Sequence, residues 1–171
     1  MKTKNFLIAS TLVLALLLLG GFAFQTTAPK PVTVNMSFKP DVIDLGAPGW
    51  SVKTVLVTLW FGPGKYDGRD IDPKTVLIEG VLGPKGGWKR TWTERDWELK
   101  EWVFRFNVSC GGLKDLLWTK IYHMGIIEPV ATIPLTVTGN LLATLDSLPF
   151  TGTGFVTVLI PTVQDPNPPP T

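Results

Sequence analysis

The sequence predicts an all-β domain, either a sandwich or a barrel, and three observations predict it. Six or more short segments alternate apolar with polar residues or are rich in β-branched and aromatic ones. Turns built on Gly and Pro separate them at roughly regular spacing. No internal repeat is present, and no helical pattern is long enough for an α/β fold.

The chain opens on a different kind of segment. Residues 1–4 (MKTK) are short and basic, and residues 6–19 (FLIASTLVLALLLL) are apolar apart from Ser10 and Thr11. Gly20, Gly21 and Ala23 follow. A basic start, an apolar stretch and small residues predict a secretory signal peptide over 1–23, cleaved after Ala23. The alternative is an uncleaved anchor, because residues 6–24 number 19, about enough to cross a bilayer as a helix. Either way the rest of the chain is expected outside the cytoplasm, extracellular or at the cell surface. Residues 24–31 (FQTTAPKP) are an extended linker, 32–161 the β-domain and 162–171 a proline-rich, extended tail.

Within the domain, residues 32–38 (VTVNMSF) alternate cleanly and predict a half-buried strand with Val32, Val34, Met36 and Phe38 inward. Lys39 and Pro40 end it, a short apolar piece follows at 42–45, and 46–49 (GAPG) form a turn. Residues 51–61 (SVKTVLVTLWF) are β-branched and apolar on both faces, which suits a central strand. Residues 75–78 (TVLI) are the next strand. The tryptophan-rich, charged stretch 88–100 leads into 101–107 (EWVFRFN), with Trp102, Phe104 and Phe106 inward. Leu113, Leu116, Leu117 and Trp118 are at helical spacing and predict one short helix over 111–122. In 133–138 Pro134 marks an edge or a bulge. Residues 155–160 (FVTVLI) are the last strand.

Charge and composition narrow the function classes. The chain has 16 basic and 14 acidic residues. Residues 1–23 hold Lys2 and Lys4 and no acid, so the remainder is balanced at 14 of each. That balance excludes the bulk charge of a nucleic-acid binder, and no polybasic run points to a lipid surface. A membrane contact is expected only through an uncleaved N-terminal segment. Cys110 is the only cysteine, so stability must come from a packed core, in which Cys110 acts as a small hydrophobe. His123 is the only histidine, and neither a zinc site nor a Ser-His-Asp arrangement is suggested. No cofactor is implied, and the chain is not expected to be an enzyme.

Three sets of residues invite a sharper reading. Asp67, Asp70 and Asp72 are an oxygen-rich cluster and weak calcium candidates. Their spacing is not that of an EF-hand, and Gly68 and Pro73 explain the stretch as a turn in which aspartates accept backbone hydrogen bonds. Trp88, Trp92 and Trp97 are interleaved with charges and are the candidate ligand-binding residues, since sugars present apolar C–H faces to aromatic rings. Their bland reading is that the rings cap the sandwich while the charges pair across a hairpin. Asn35 and Asn107 begin N-x-S sequons and are candidate glycosylation sites, with Asn35 on the outward face of its strand.

Four pieces occur in a recognisable order: FKPDVIDLG (38–46), DIDPKTVLI (70–78), EWVFRFN with its following helix, and LTVTGNL…PFTGTGFVTVLI (135–160). Together they resemble a small immunoglobulin-like β-sandwich module of secreted and cell-surface proteins of archaea and bacteria. The resemblance covers 32–161. It implies an immunoglobulin-like antiparallel β-sandwich of about seven to eight strands with one short helix, in an extracellular setting, and no established activity. Gly154 stands where that pattern often has an acid, so a calcium ligand supplied by such an acid is not carried over.

The expected function is a non-catalytic extracellular or cell-surface β-sandwich with a structural or interaction role. Its expected partners are other copies of itself, cell-surface components or glycans. One alternative is a filament subunit assembled by donor-strand exchange, with 24–38 as donor and 135–138 or 155–160 as acceptor. Another is a carbohydrate-binding module.

Overall fold

The computed structural model describes residues 29–47 and 54–161. The expected signal segment, residues 24–28 of the linker, parts of the 46–49 turn and the 51–61 strand, and the tail lie outside the described residues. The described residues form nine strands and one α-helix: β1 (Val32–Thr33), β2 (Asn35–Lys39), β3 (Val42–Asp44), β4 (Thr54–Trp60), β5 (Leu77–Ile78), β6 (Thr91–Asp96), β7 (Glu101–Ser109), α1 (Cys110–Met124), β8 (Val130–Asn140) and β9 (Pro149–Leu159). One sheet has the order β1-β9-β8-β5, with β3 also on β9. The other has the order β2-β4-β7-β6. Their inward residues share one core, the layout of a β-sandwich. Val34, Val57, Leu59, Phe106, Ile133, Leu135, Phe150 and Val158 are all buried in it.

The strand expected over 32–38 is divided between the two sheets. β1 runs parallel to β9, β2 then crosses to pair antiparallel with β4, and β3 returns to run parallel to β9. The alternation is unbroken through the crossing, with Val34, Met36 and Phe38 all buried. Alternation fixes which side faces inward but not which sheet supplies the hydrogen bonds, so the crossing is silent in the pattern. The two parallel pairings correct the expectation of a purely antiparallel sandwich. The crossing needs β2 to lie almost on top of β9. Gly152 and Gly154 allow this, because a Cβ at Gly152 would overlap the Val34 carbonyl oxygen and one at Gly154 would stand 2.8 Å from that of Met36.

Other expectations shift by smaller amounts. The central strand lies between β2 and β7 as its double-sided apolar pattern requires. The 75–78 strand shrinks to Leu77–Ile78, paired with Thr138 and Val137. α1 is longer than the short helix expected, because Ser109 caps its start by accepting from Gly112 N–H (3.0 Å) and Gly125 ends it in the left-handed conformation. Its buried stripe is Cys110, Leu113, Leu117 and Ile121, while Trp118 is exposed.

Pro134 lies where β8 has β9 on one side and no strand on the other. Two side chains occupy that open flank. Lys120 Nζ donates to the Pro134 carbonyl (2.9 Å) and pairs with Glu79 Oε1 (2.8 Å), which itself accepts from Thr136 N–H (2.6 Å). The segments expected to accept a donor strand are flanked within the same chain, 135–138 by β5 and 155–160 by β3.

Candidate functional site

The outward face of β2-β4-β7-β6 carries the most chemistry. Strand alternation and register bring Ser37, Thr58, Arg105 and Trp92 into one row across the sheet, with Lys39, Leu56 and Asn107 beside it. Arg105 is the centre. One terminal nitrogen pairs with Glu94 Oε1 and the other donates to Asp96 Oδ2 at 2.7 Å. Its Nε is buried without a hydrogen-bond partner. Trp92 Nε1 donates to the other Glu94 oxygen (3.2 Å), which ties the indole into the same network.

Asp96 also shapes the β6–β7 turn. Its Oδ1 accepts from the backbone N–H of Glu98 (3.0 Å) and Leu99 (3.1 Å). The Leu99 amide is the main cause, with Glu98 and Arg105 adding to it, that holds this carboxyl below the usual aspartate range. The turn thus brings Glu98 and Leu99 to the edge of an open groove of about 710 Å³. Thr58, Arg105, Ser37 and Lys39 line it from the sheet, and Trp60 and Phe155 give it aromatic walls, Phe155 reaching it from the other sheet. Three carboxylates (Asp41, Asp96, Glu98) and two cations (Lys39, Arg105) line it, so it leans acidic. Such a surface can hold a polar chain by hydrogen bonds from ionised side chains while aromatic faces cover its apolar parts.

The structure separates the three tryptophans. Trp92 is on this sheet face beside the groove. Trp97 sits at the β6–β7 turn, 81% exposed, with the Arg95 guanidinium 5.9 Å from its ring. Trp88 lies in the 3₁₀ turn Trp88–Arg90, with Lys74 and Lys89 over its ring. Trp88 precedes β6 and Trp97 follows it, so the three rings are spread along this segment, and none lines the groove. The charges do pair across the β6–β7 hairpin, through Arg105. Trp102, expected in the core, is only half-buried under the Arg69 guanidinium.

The aspartate cluster is engaged by its own turn. Asp67 caps the 3₁₀ turn Gly68–Asp70, accepting from Arg69 N–H (2.8 Å), and Asp70 returns a bond by accepting from Asp67 N–H (2.8 Å). Asp72 accepts from Lys74 N–H (3.0 Å). The Arg69 side chain, bonded to Asp67 Oδ2 at 2.6 Å, is the main cause that lowers the Asp67 pKa. Among the described residues no three Asp, Glu, His or Cys side chains converge as a metal site would need. Asn35 and Asn107 both face outward on the groove's sheet. Cys110 is buried at the start of α1, and burial pushes its thiol pKa up.

Trp60, Thr58 and Phe155 escaped the sequence reading. Trp60 sits in a segment apolar on both faces, which marks it as central but not as a wall of a groove. Arg105 had a visible marker, a lone cation among the aromatics of EWVFRFN. Comparison with protein-family models, with curated proteins and with solved structures found no match for the chain.

Proposed function

We propose that this chain is a non-catalytic extracellular or cell-surface β-sandwich, immunoglobulin-like in topology, that works by binding, and that the groove on β2-β4-β7-β6 is its contact site. The observation that carries the reading is the groove itself, in which Trp60 and Phe155 stand beside Ser37, Thr58, Asp96 and Arg105. Asp96 is held by two backbone amides and Arg105 and serves as a fixed acceptor. The signal-like N-terminus supports the location, and the order of the sequence pieces supports the immunoglobulin-like topology.

A second reading, a carbohydrate-binding module, is favoured by Trp60 and Phe155 beside ionised side chains and hydroxyls. The excess of carboxylates suits a neutral glycan and disfavours an acidic one. One experiment tests both. The full chain is run by affinity electrophoresis through neutral and acidic soluble polysaccharides, and the same samples are assayed for released reducing ends. Retention on a neutral polysaccharide, lost in Trp60→Ala and kept in Trp88→Ala and Trp97→Ala, supports glycan binding at the groove. No retention on any polysaccharide removes the glycan reading and leaves a protein partner for the groove. Release of reducing ends overturns the non-catalytic reading.

A further inference from the structure

The outward face of the other sheet differs from the groove face in one respect: it carries almost no charge. β8 and β9 pair along their whole length, and six cross-strand pairs face outward: Val130–Leu159, Thr132–Thr157, Pro134–Phe155, Thr136–Thr153, Thr138–Thr151 and Asn140–Pro149. None of these twelve residues is charged, whereas the outward face of the four-stranded sheet has Lys39, Glu94, Asp96, Glu101 and Arg105. Phe155 is 61% exposed and Val130 is 55% exposed. The flanking strands add Thr33 and Val42, and the nearest charges, Asp44 and the Lys120–Glu79 pair, sit at the rim and are already bonded.

We propose that this face is the contact between two copies of the chain, packed sheet on sheet about a two-fold axis. A two-fold contact sets each surface against itself, so it must be self-complementary. An uncharged face meets that condition, since it opposes no like charges across the axis. Threonine hydroxyls both donate and accept, so they pair with their own kind. The one aromatic ring of the face, Phe155, stands on β9 between the stretches that β1 and β3 pair and is well exposed. The size fits a weak dimer. β8 and β9 are eleven residues long and the flanking β1, β3 and β5 two or three, which at about 3.3 Å per residue and about 4.8 Å per strand gives roughly 450 Å² per copy, or about 900 Å² in all, the low end of specific interfaces. The surface is on the opposite sheet from the groove and does not depend on it, apart from Phe155, which borders both.

The test is sedimentation velocity of the full chain in a non-ionic detergent over a wide concentration range, comparing wild type with the double variant Thr132→Lys/Thr153→Lys. Both threonines are exposed. The wild type is expected to form a dimer of the 18.8 kDa chain. Four lysines facing one another are expected to weaken that dimer about tenfold or more, with the far-UV circular dichroism unchanged. Trp60→Ala, in the groove, is expected to dimerise as wild type. A monomeric wild type at high concentration overturns the proposal, as does a dimer that the lysines leave intact. If the double variant loses its β-sheet spectrum, Phe155→Ser decides in its place, because removing the largest exposed apolar side chain of the face must weaken the dimer if the contact is here.

Discussion

A methyl group added at Gly152 would overlap the Val34 carbonyl oxygen, and the two backbones cannot move aside without breaking the contact between these segments. Gly152→Ala is therefore expected to cost about 3 kcal/mol of folding stability. Gly64, with nothing within 4 Å of its Cβ position, is the control. Gly64→Ala is expected to change stability by less than about 0.5 kcal/mol, with both values taken from urea unfolding. Titration is also a residue-scale matter. Asp67 and Asp96 have pKa values lowered in the folded state, so their bonds add stability above the unfolded value. That contribution is lost as pH falls through the lower, folded value. Their carboxyl NMR shifts should titrate below the model-peptide value of about 3.9, and urea midpoints should drop as pH falls below about 4. Midpoints at or above that value would contradict the capping and turn bonds assigned to them. The aspartate turn was legible in the sequence because its bonds span two or three residues. Trp60 and Phe155 were not legible as walls of one groove, because they line it from different sheets.

At the scale of elements, α1 is a local object. Its apolar spacing, its Ser109 cap and its Gly125 stop all lie within one segment, and the spacing alone was enough to predict it. Ser109→Ala removes the side chain that accepts from Gly112 N–H and is expected to cost about 1 kcal/mol, read as a lowered thermal midpoint. β8 is different. Pro134 announces an open flank, but the partners that cover it, Lys120 and Glu79, come from 14 and 57 residues away along the chain for their bonds to Pro134 and Thr136. Lys120→Ala breaks two contacts at a half-buried site and is expected to cost about 1 kcal/mol. It should also raise amide exchange at Thr136 and Leu135 by hydrogen-exchange NMR. Unchanged protection there would mean that the pair does not guard the edge.

For the whole molecule, the two outward faces divide the labour: one is grooved, charged and aromatic, the other smooth and uncharged. Arg105 ties the first face together. Arg105→Ala leaves Glu94 and Asp96 facing each other without their cation, and is expected to cost about 2 kcal/mol and to loosen the β6–β7 turn, seen as faster amide exchange at Glu98 and Leu99. The amino-acid sequence by itself determined the β class, the inward side of each strand, the presence of the helix, and the turn at 67–72. Each of these depends on residues within a few positions of one another. Only the tertiary structure decided that 32–44 visits both sheets, that two pairings are parallel, and that Arg105, Thr58, Trp60 and Phe155 share a groove. Sheet partners are chosen by hydrogen bonds between distant segments, and a period-two pattern reads the same whichever partner is chosen.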